Sequence, residues 1–291
     1  MEHSGSPPKH VIRLGSAVPQ SPVIISVPHA GRYYPASLLE IARLDEASLR
    51  SLEDRHVDTL VTPLADKGYT IVIGQVARAW IDLNRSEREI DPAMISPPPK
   101  HAGFELTAKV RGGLGLVPRR LAKHGNIYHR PIGQRDLSDR INQAHRPFHA
   151  QISDMLDAAR RRFGIAVLLD CHSMPPLRAR DGQAPAEIVI GDRHGKSSAP
   201  AFAGRAVDTC RDLGFRTTLN TPYAGGHILN RHARPERDVH GLQLEICRSL
   251  YLDRAHNLPS PNLPHVTALI TAIADGLASE ALSPPDALAA E

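Results

Sequence analysis

The chain has 291 residues, 41% hydrophobic and 23% charged, enough apolar content for one large core or two small ones. A net charge of +4 with scattered Lys and Arg, and only 4% aromatic residues, argues against a nucleic-acid groove, which needs clustered cations and stacking rings. Three cysteines without a CxxC pair argue against a disulfide framework or a structural zinc cluster and fit a reducing cytoplasm; the polar start and the lack of any apolar run near the roughly 18 residues that span a bilayer predict neither a signal peptide nor a membrane anchor.

Residues 1–21 read as a loose lead-in. "PVIISVPHAG" (Pro22 to Gly31) reads as a buried strand followed by a loop. Asp45 to Gly68 reads as one helix, with Asp45 as N-cap, Gly68 as C-cap and the apolar residues on one broad face. Tyr69 to Val76 and Ala79 to Arg85 read as strands, and 86–126 as a loop-rich excursion. Asp136 to Gly164 is a long amphipathic helix in which Pro147 predicts a kink or a break. The strand "IAVLLD", the loop "CHSMPPLRARDGQAPA" and the strand "EIVIGD" follow, then a helix over Ser198 to Gly214. "RTTLNTPYAGGHI" leads through a strand into a glycine loop, Val239 to Tyr251 is a strand, and Leu263 to Ser279 is a closing helix. Alternating strands and helices predict an α/β class with a largely buried sheet, and no linker divides it: a single domain over 22–281 and a frayed tail over 282–291.

The stretch "VLLDCHSMPP" sets Asp170, Cys171, His172 and Ser173 at the end of an apolar strand. A thiol nucleophile, a serine nucleophile and a metal ligand with polar support compete there. No GxSxG elbow is present, and Cys171 and His172, adjacent on an extended chain, point apart. Cys171 then reads as an inert buried thiol, Asp170 as support behind a ligand and Ser173 as a local hydrogen-bonding group.

"VIISVPH" delivers His29 as "AVLLDCH" delivers His172. Two histidines and one carboxylate are a common zinc set that leaves a position for water, and Glu53, Asp54 and Asp58 are the carboxylates to hand. Glu245, inside "GLQLEIC", is an acid in an apolar strand, either salt-bridged to an arginine or at work as a general base. Arg85, with Asn84 beside it, suits a carboxylate clamp, with Arg130 and Arg231 behind it; for the last two a surface or structural ion pair is the readier account. Gly225 and Gly226 would let backbone NH groups approach a substrate.

"SVPHAG", "DRHVDTL", "IDLNR", "DCHSMP", "IVIGDRHG", "TPYAGGHI" and "HGLQLEICRSLY" occur in this order. They closely resemble the N-formylglutamate amidohydrolase family over about Val23 to Asp253. The resemblance implies a three-layer fold with a central mixed, mostly parallel sheet flanked by helices, similar to zinc carboxypeptidases. It implies a zinc-dependent, cytoplasmic hydrolase that converts N-formyl-L-glutamate to formate and L-glutamate at the end of one histidine-degradation route. It further implies zinc on His29, an acid of the Glu53–Asp54 pair and His172, with Glu245 as base; the register favours Asp54. Manganese, iron or cobalt could take the same donors. His227 stands where relatives are expected to carry an aromatic residue. A deacylase or carboxypeptidase-like enzyme acting on another small acid is the main rival; a metal-free binding protein with a relic fold and a Cys171 thiol hydrolase are the others. The expected partner is a small molecule, with no nucleic acid and no membrane.

Overall fold

Largely aliphatic runs make the centre of the sheet, and the polar residues that interrupt them, among them Ser26, Asp170, His172 and Glu245, are buried as well. In the computed structural model, which describes residues 9–98, 103–179 and 184–283, the strands are β1 (Val11–Leu14), β2 (Val23–Val27), β3 (Thr70–Gly74), β4 (Arg120–Leu121), β5 (Gly125–Asn126), β6 (Ala166–Met174), β7 (Ile188–Gly191), β8 (Thr217–Leu219) and β9 (Val239–Cys247). Strands β2, β3, β6, β7 and β9 are buried at every position, as strands covered on both faces must be. Seven strands form one mixed sheet in the order β1-β3-β2-β6-β9-β7-β8, and β4 and β5 make a small hairpin. Strand β6 runs parallel to β2 and β9, and β7 runs antiparallel to β9 and parallel to β8.

The helices are α1 (Ala36–Leu39), α2 (Glu46–Leu49), α3 (Val57–Val61), α4 (Ala108–Arg111), α5 (Gln134–Arg140), α6 (Arg146–Phe163), α7 (Pro200–Asp212), α8 (His227–His232) and α9 (Leu263–Leu282). The largely apolar α9 packs on α7, α3, β2 and β6. Among the described residues no helix is long and apolar enough to cross a membrane.

The contacts divide the chain into two compact units. One comprises Met1–Ile12, Pro28–Glu53 and Ile73–His149; the other comprises Arg13–Val27, Asp54–Val72 and Ala150–Glu291. The first is organised around Arg140, fully buried, which pairs with Asp136, donates to Trp80 O at 2.8 Å and lies over the Trp80 and Tyr128 rings. The second is organised around β6 and β9, which pair along their whole nine-residue length.

Several elements differ from the sequence reading. The lead-in contains β1, whose buried Val11 ties its start down. The single helix over 45–68 is broken. Asp45 does cap α2 through Ser48 N, and Gly68 ends the stretch at φ 92°, but the chain is extended at Glu53 and left-handed at His56 before α3 begins. Residues 79–85 form buried turns rather than a strand, because the Asp82 side chain accepts from Asn84 N and supplies a local alternative to a ladder. Strand β6 runs on through Cys171 and His172 to Met174, because β9 offers a partner all the way. The helix over 136–164 is continuous in direction but carries a π turn over Ile141–His145, just before Pro147. Proline has no N–H to give to Gln143 O, and His10 Nδ1 takes that carbonyl at 3.2 Å. Helix α9 runs into the expected tail as far as Leu282; residues 284–291, like residues 1–8 of the lead-in, lie outside the described residues.

Gly191 faces the Tyr223–Ala224 backbone, and a Cβ there would lie 2.7 Å from Ala224 C and 2.9 Å from Tyr223 O. Gly191→Ala must push that loop off the sheet. The expected cost is about 1–3 kcal/mol, read as a lower urea midpoint with an unchanged slope; a variant as stable as the parent would show that the loop yields freely.

Candidate active site

Side chains alternate along a strand, so Asp170 and His172 share a face of β6. Glu245 is the register partner of His172 on the parallel strand β9, about 4.8 Å away across the ladder. His172 is buried, with Nδ1 2.9 Å from Asp54 Oδ2 and Nε2 2.9 Å from Asp170 Oδ2. The other oxygen of Asp170 accepts from Ser26 Oγ at 2.6 Å, and Ser26 is its register partner on β2. Gln243 Nε2 donates to Glu245 Oε1 at 2.9 Å and orients that carboxylate.

Asp54 reaches His172 because the helix breaks at 53–56. Its Oδ1 accepts from Arg248 NH2 at 3.3 Å and from Ser173 Oγ at 3.4 Å, and Arg248 Nε donates to Ser173 Oγ at 3.1 Å. Arg248 thus clamps the carboxylate from behind. Burial alone would lower the His172 pKa. The Asp170 charge, the hydrogen bonds to Asp170 and Asp54, and the Glu245 charge outweigh it and hold the value well above the ordinary range.

In the other unit, His29 Nε2 lies 2.7 Å from Asp82 Oδ1. Asp82 Oδ1 also accepts from Asn84 N at 2.8 Å, and Oδ2 accepts from Arg78 Nε at 2.9 Å. Burial would raise the Asp82 pKa, but Arg78, His29 and Arg85 together hold it well below the carboxylate range. Each of the two histidines therefore has a buried carboxylate behind one ring nitrogen. That pairing fixes the ring orientation; His172 Nδ1 is itself paired with Asp54 Oδ2, so a metal taken up there would replace the proton the two share.

The remaining expected residues are spread out. Arg85 is buried, with Nε on Leu114 O at 2.9 Å and NH1 on Asn84 O at 2.7 Å, so much of its fork serves the backbone. Asn84 is buried beside it, and Arg130 is exposed. Glu53 is buried and accepts from the Tyr34 hydroxyl, and Asp58 is half-buried in the first turn of α3. Gly225 has φ 116°, where a Cβ would meet Leu229 Cδ1 at 2.8 Å; Gly226 caps α8 and His227 opens it. Arg231 lies in the last turn of α8.

Asp82, Arg248 and Ser26 were missed by sequence reasoning. Asp82 had a signal, since it is an acid between Ile81 and Leu83 just as Glu245 is an acid between leucine and isoleucine. Arg248 and Ser26 had none, because their value depends on what strand register brings to them.

A mixed α/β sheet with two carboxylate-backed histidines and a strand glutamate suits a hydrolytic enzyme. A family model for N-formylglutamate amidohydrolase matches residues 21–252, and the chain belongs to that family. Similar proteins include an N-formylglutamate deformylase of Pseudomonas putida, 29% identical over 240 residues, with 80% of this chain and 82% of the relative covered. One from Pseudomonas aeruginosa is 29% identical over 241 residues, with the same coverage. The crystal structure of N-formylglutamate amidohydrolase from Ralstonia eutropha JMP134 superposes with a TM-score of 0.84 at 27% identity, covering 94% of this chain and 97% of that one.

Cys171 lies on the opposite face of β6 from His172, fully buried, and burial followed by the Asp170 charge raises its thiol pKa well above the ordinary value. All three cysteines are free and buried. Iodoacetamide at pH 8 should leave Cys171 unlabelled in the native protein and label it fully in urea, as peptide mass spectrometry would show. Native labelling in step with lost activity would restore the thiol nucleophile.

Proposed function

We propose that this chain hydrolyses the formamide of N-formyl-L-glutamate to formate and L-glutamate, the last step of one route of histidine degradation. The carrying observation is the set around His172, with Asp170 on one nitrogen, Asp54 on the other and Glu245 beside it in register. Membership of the family and the names of the Pseudomonas relatives support the substrate. The three free, buried thiols suit the reducing cytoplasm we assign it to.

We further propose that His29, Asp54 and His172 hold a divalent metal, zinc in the first instance. Two imidazoles and a carboxylate are a donor set that suits such an ion. When bound, the ion lowers the pKa of a water and polarises a carbonyl.

The chain's own residues do the rest. Asp170 and Asp82 hold the two imidazoles in one tautomer. Arg248 and Ser173 hold Asp54 Oδ1, so that Oδ2 stays directed at His172. Glu245 takes a proton from the water that attacks the formyl carbon. As the carbon–nitrogen bond breaks, the same carboxyl returns the proton to the leaving amine, so one group serves as base and then acid. Asn84, Arg85, Arg130 and His227 are assigned to the substrate's polar groups, and the backbone of Gly225 and Gly226 to close approach.

Purified protein should release formate from N-formyl-L-glutamate, lose that activity to a chelator and regain it with zinc. Glu245→Gln should lower kcat by about 10²–10⁴-fold while metal content stays at the parent level. Asp170→Asn should weaken metal affinity by about 10–100-fold, measured by competition with a chromogenic chelator. Zinc-loaded protein inactive on this substrate but active on another N-acyl amino acid would move the assignment within the hydrolases; no formate release with any divalent metal would remove the substrate.

A further inference from the structure

Strand β9 has chemistry at both ends. Glu245 lies towards its C-terminal end, while Val239 at its start lines a cavity of about 170 Å³ together with Arg160, Arg231, Arg234, Arg237, His232 and Asp157. The six residue steps from Val239 to Glu245 span roughly 20 Å of strand, so this cleft is separate from the reacting groups.

Four guanidiniums face one carboxylate in the lining. Arg160 and Arg231 sit in the last turns of α6 and α8, where a helix dipole favours cations. That accounts for their position but leaves their donors unused. Among the described residues the side chains of Arg160, Arg231 and Arg237 make no hydrogen bond and no ion pair. Arg234 is pre-positioned, with NH1 donating to Asn230 O at 3.1 Å and to Ala233 O at 2.5 Å. His232 is buried in the wall, its Nδ1 3.4 Å from Ser153 Oγ.

All four guanidiniums are exposed, so water screens their mutual repulsion in the free protein, while an anion that reaches the cleft meets several of them at once. A guanidinium fork grips two oxygens at once, so several forks around so small a volume suit a compact ligand with clustered oxygens. A nucleic acid would need stacking rings and a longer groove, which this lining lacks. We propose that this cleft is a binding site for a small, multiply charged oxyanion of the diphosphate type, distinct from the substrate site.

Titration calorimetry with inorganic pyrophosphate on the full-length, metal-free protein tests this, since chelation removes any ion the probe could seek elsewhere. One equivalent should bind, more weakly as salt is raised. The double variant Arg160→Gln/Arg237→Gln should lose about tenfold or more in affinity with an unchanged melting temperature and, after zinc loading, unchanged formate release. Asp157→Asn, which removes the one carboxylate of the lining, should bind several-fold more tightly. No binding at millimolar pyrophosphate would overturn the site, as would equal affinity in the double variant or weaker binding in Asp157→Asn.

Discussion

A buried carboxylate held at both oxygens sets the geometry of the candidate site on β6. Asp170 takes Ser26 on one oxygen and His172 on the other, with no exposure to water. Left unpaired, such a charge would cost several kcal/mol. The β2–β6 register that places Ser26 opposite Asp170 is therefore a condition of folding. A slip of one residue would turn Ser26 to the wrong face and strand the carboxylate. The same ladder, continued to β9, sets Glu245 opposite His172, so one register positions the imidazole, its support and the acid beside it.

The break between α2 and α3 is the second device. An unbroken helix would leave Asp54 on a solvated edge with Asp58. Extended backbone at Glu53 and a left-handed His56 instead turn Asp54 inward, where His172, Ser173 and Arg248 satisfy it. The local backbone cost at His56, of order 1 kcal/mol or more, is offset by these contacts. Tyr251 reinforces the turn by donating to Arg55 O at 2.8 Å. The "CRSLY" segment after β9 thus braces the break twice, through Arg248 on the Asp54 side chain and Tyr251 on the backbone.

Helix α8 carries a similar double duty within its six residues. It is capped by Gly226 of the glycine loop, opens at His227 and closes in the basic residues Arg231 and His232. Leu229 of the same helix packs at 3.0 Å from the position a Cβ would occupy on Gly241, which explains why β9 carries a glycine in an otherwise filled strand.

The amino-acid sequence by itself settled the α/β class, the caps at Asp45 and Gly68, the buried strands and the motif set that identifies the family, because hydrophobic run length, capping chemistry and motif order are local properties. It also isolated His29, His172 and Glu245 as unusual, since acids and histidines at or in apolar strands need a reason to be there, while Asp54 stood out from Glu53 and Asp58 only through the register of the family motif. It could not show that β6 runs on past Asp170, that the helix breaks at Glu53, or that residues 79–85 curl around the Asp82 side chain. Those outcomes depend on partners distant in the chain or on competition between a side chain and a ladder. Nor could it show that Ser26, Asp82 and Arg248 support the site, or that four scattered arginines line one cleft. A hydrogen bond between residues 144 apart in sequence, as from Ser26 to Asp170, exists only once strand order and register are set, and the packing of the whole sheet decides both.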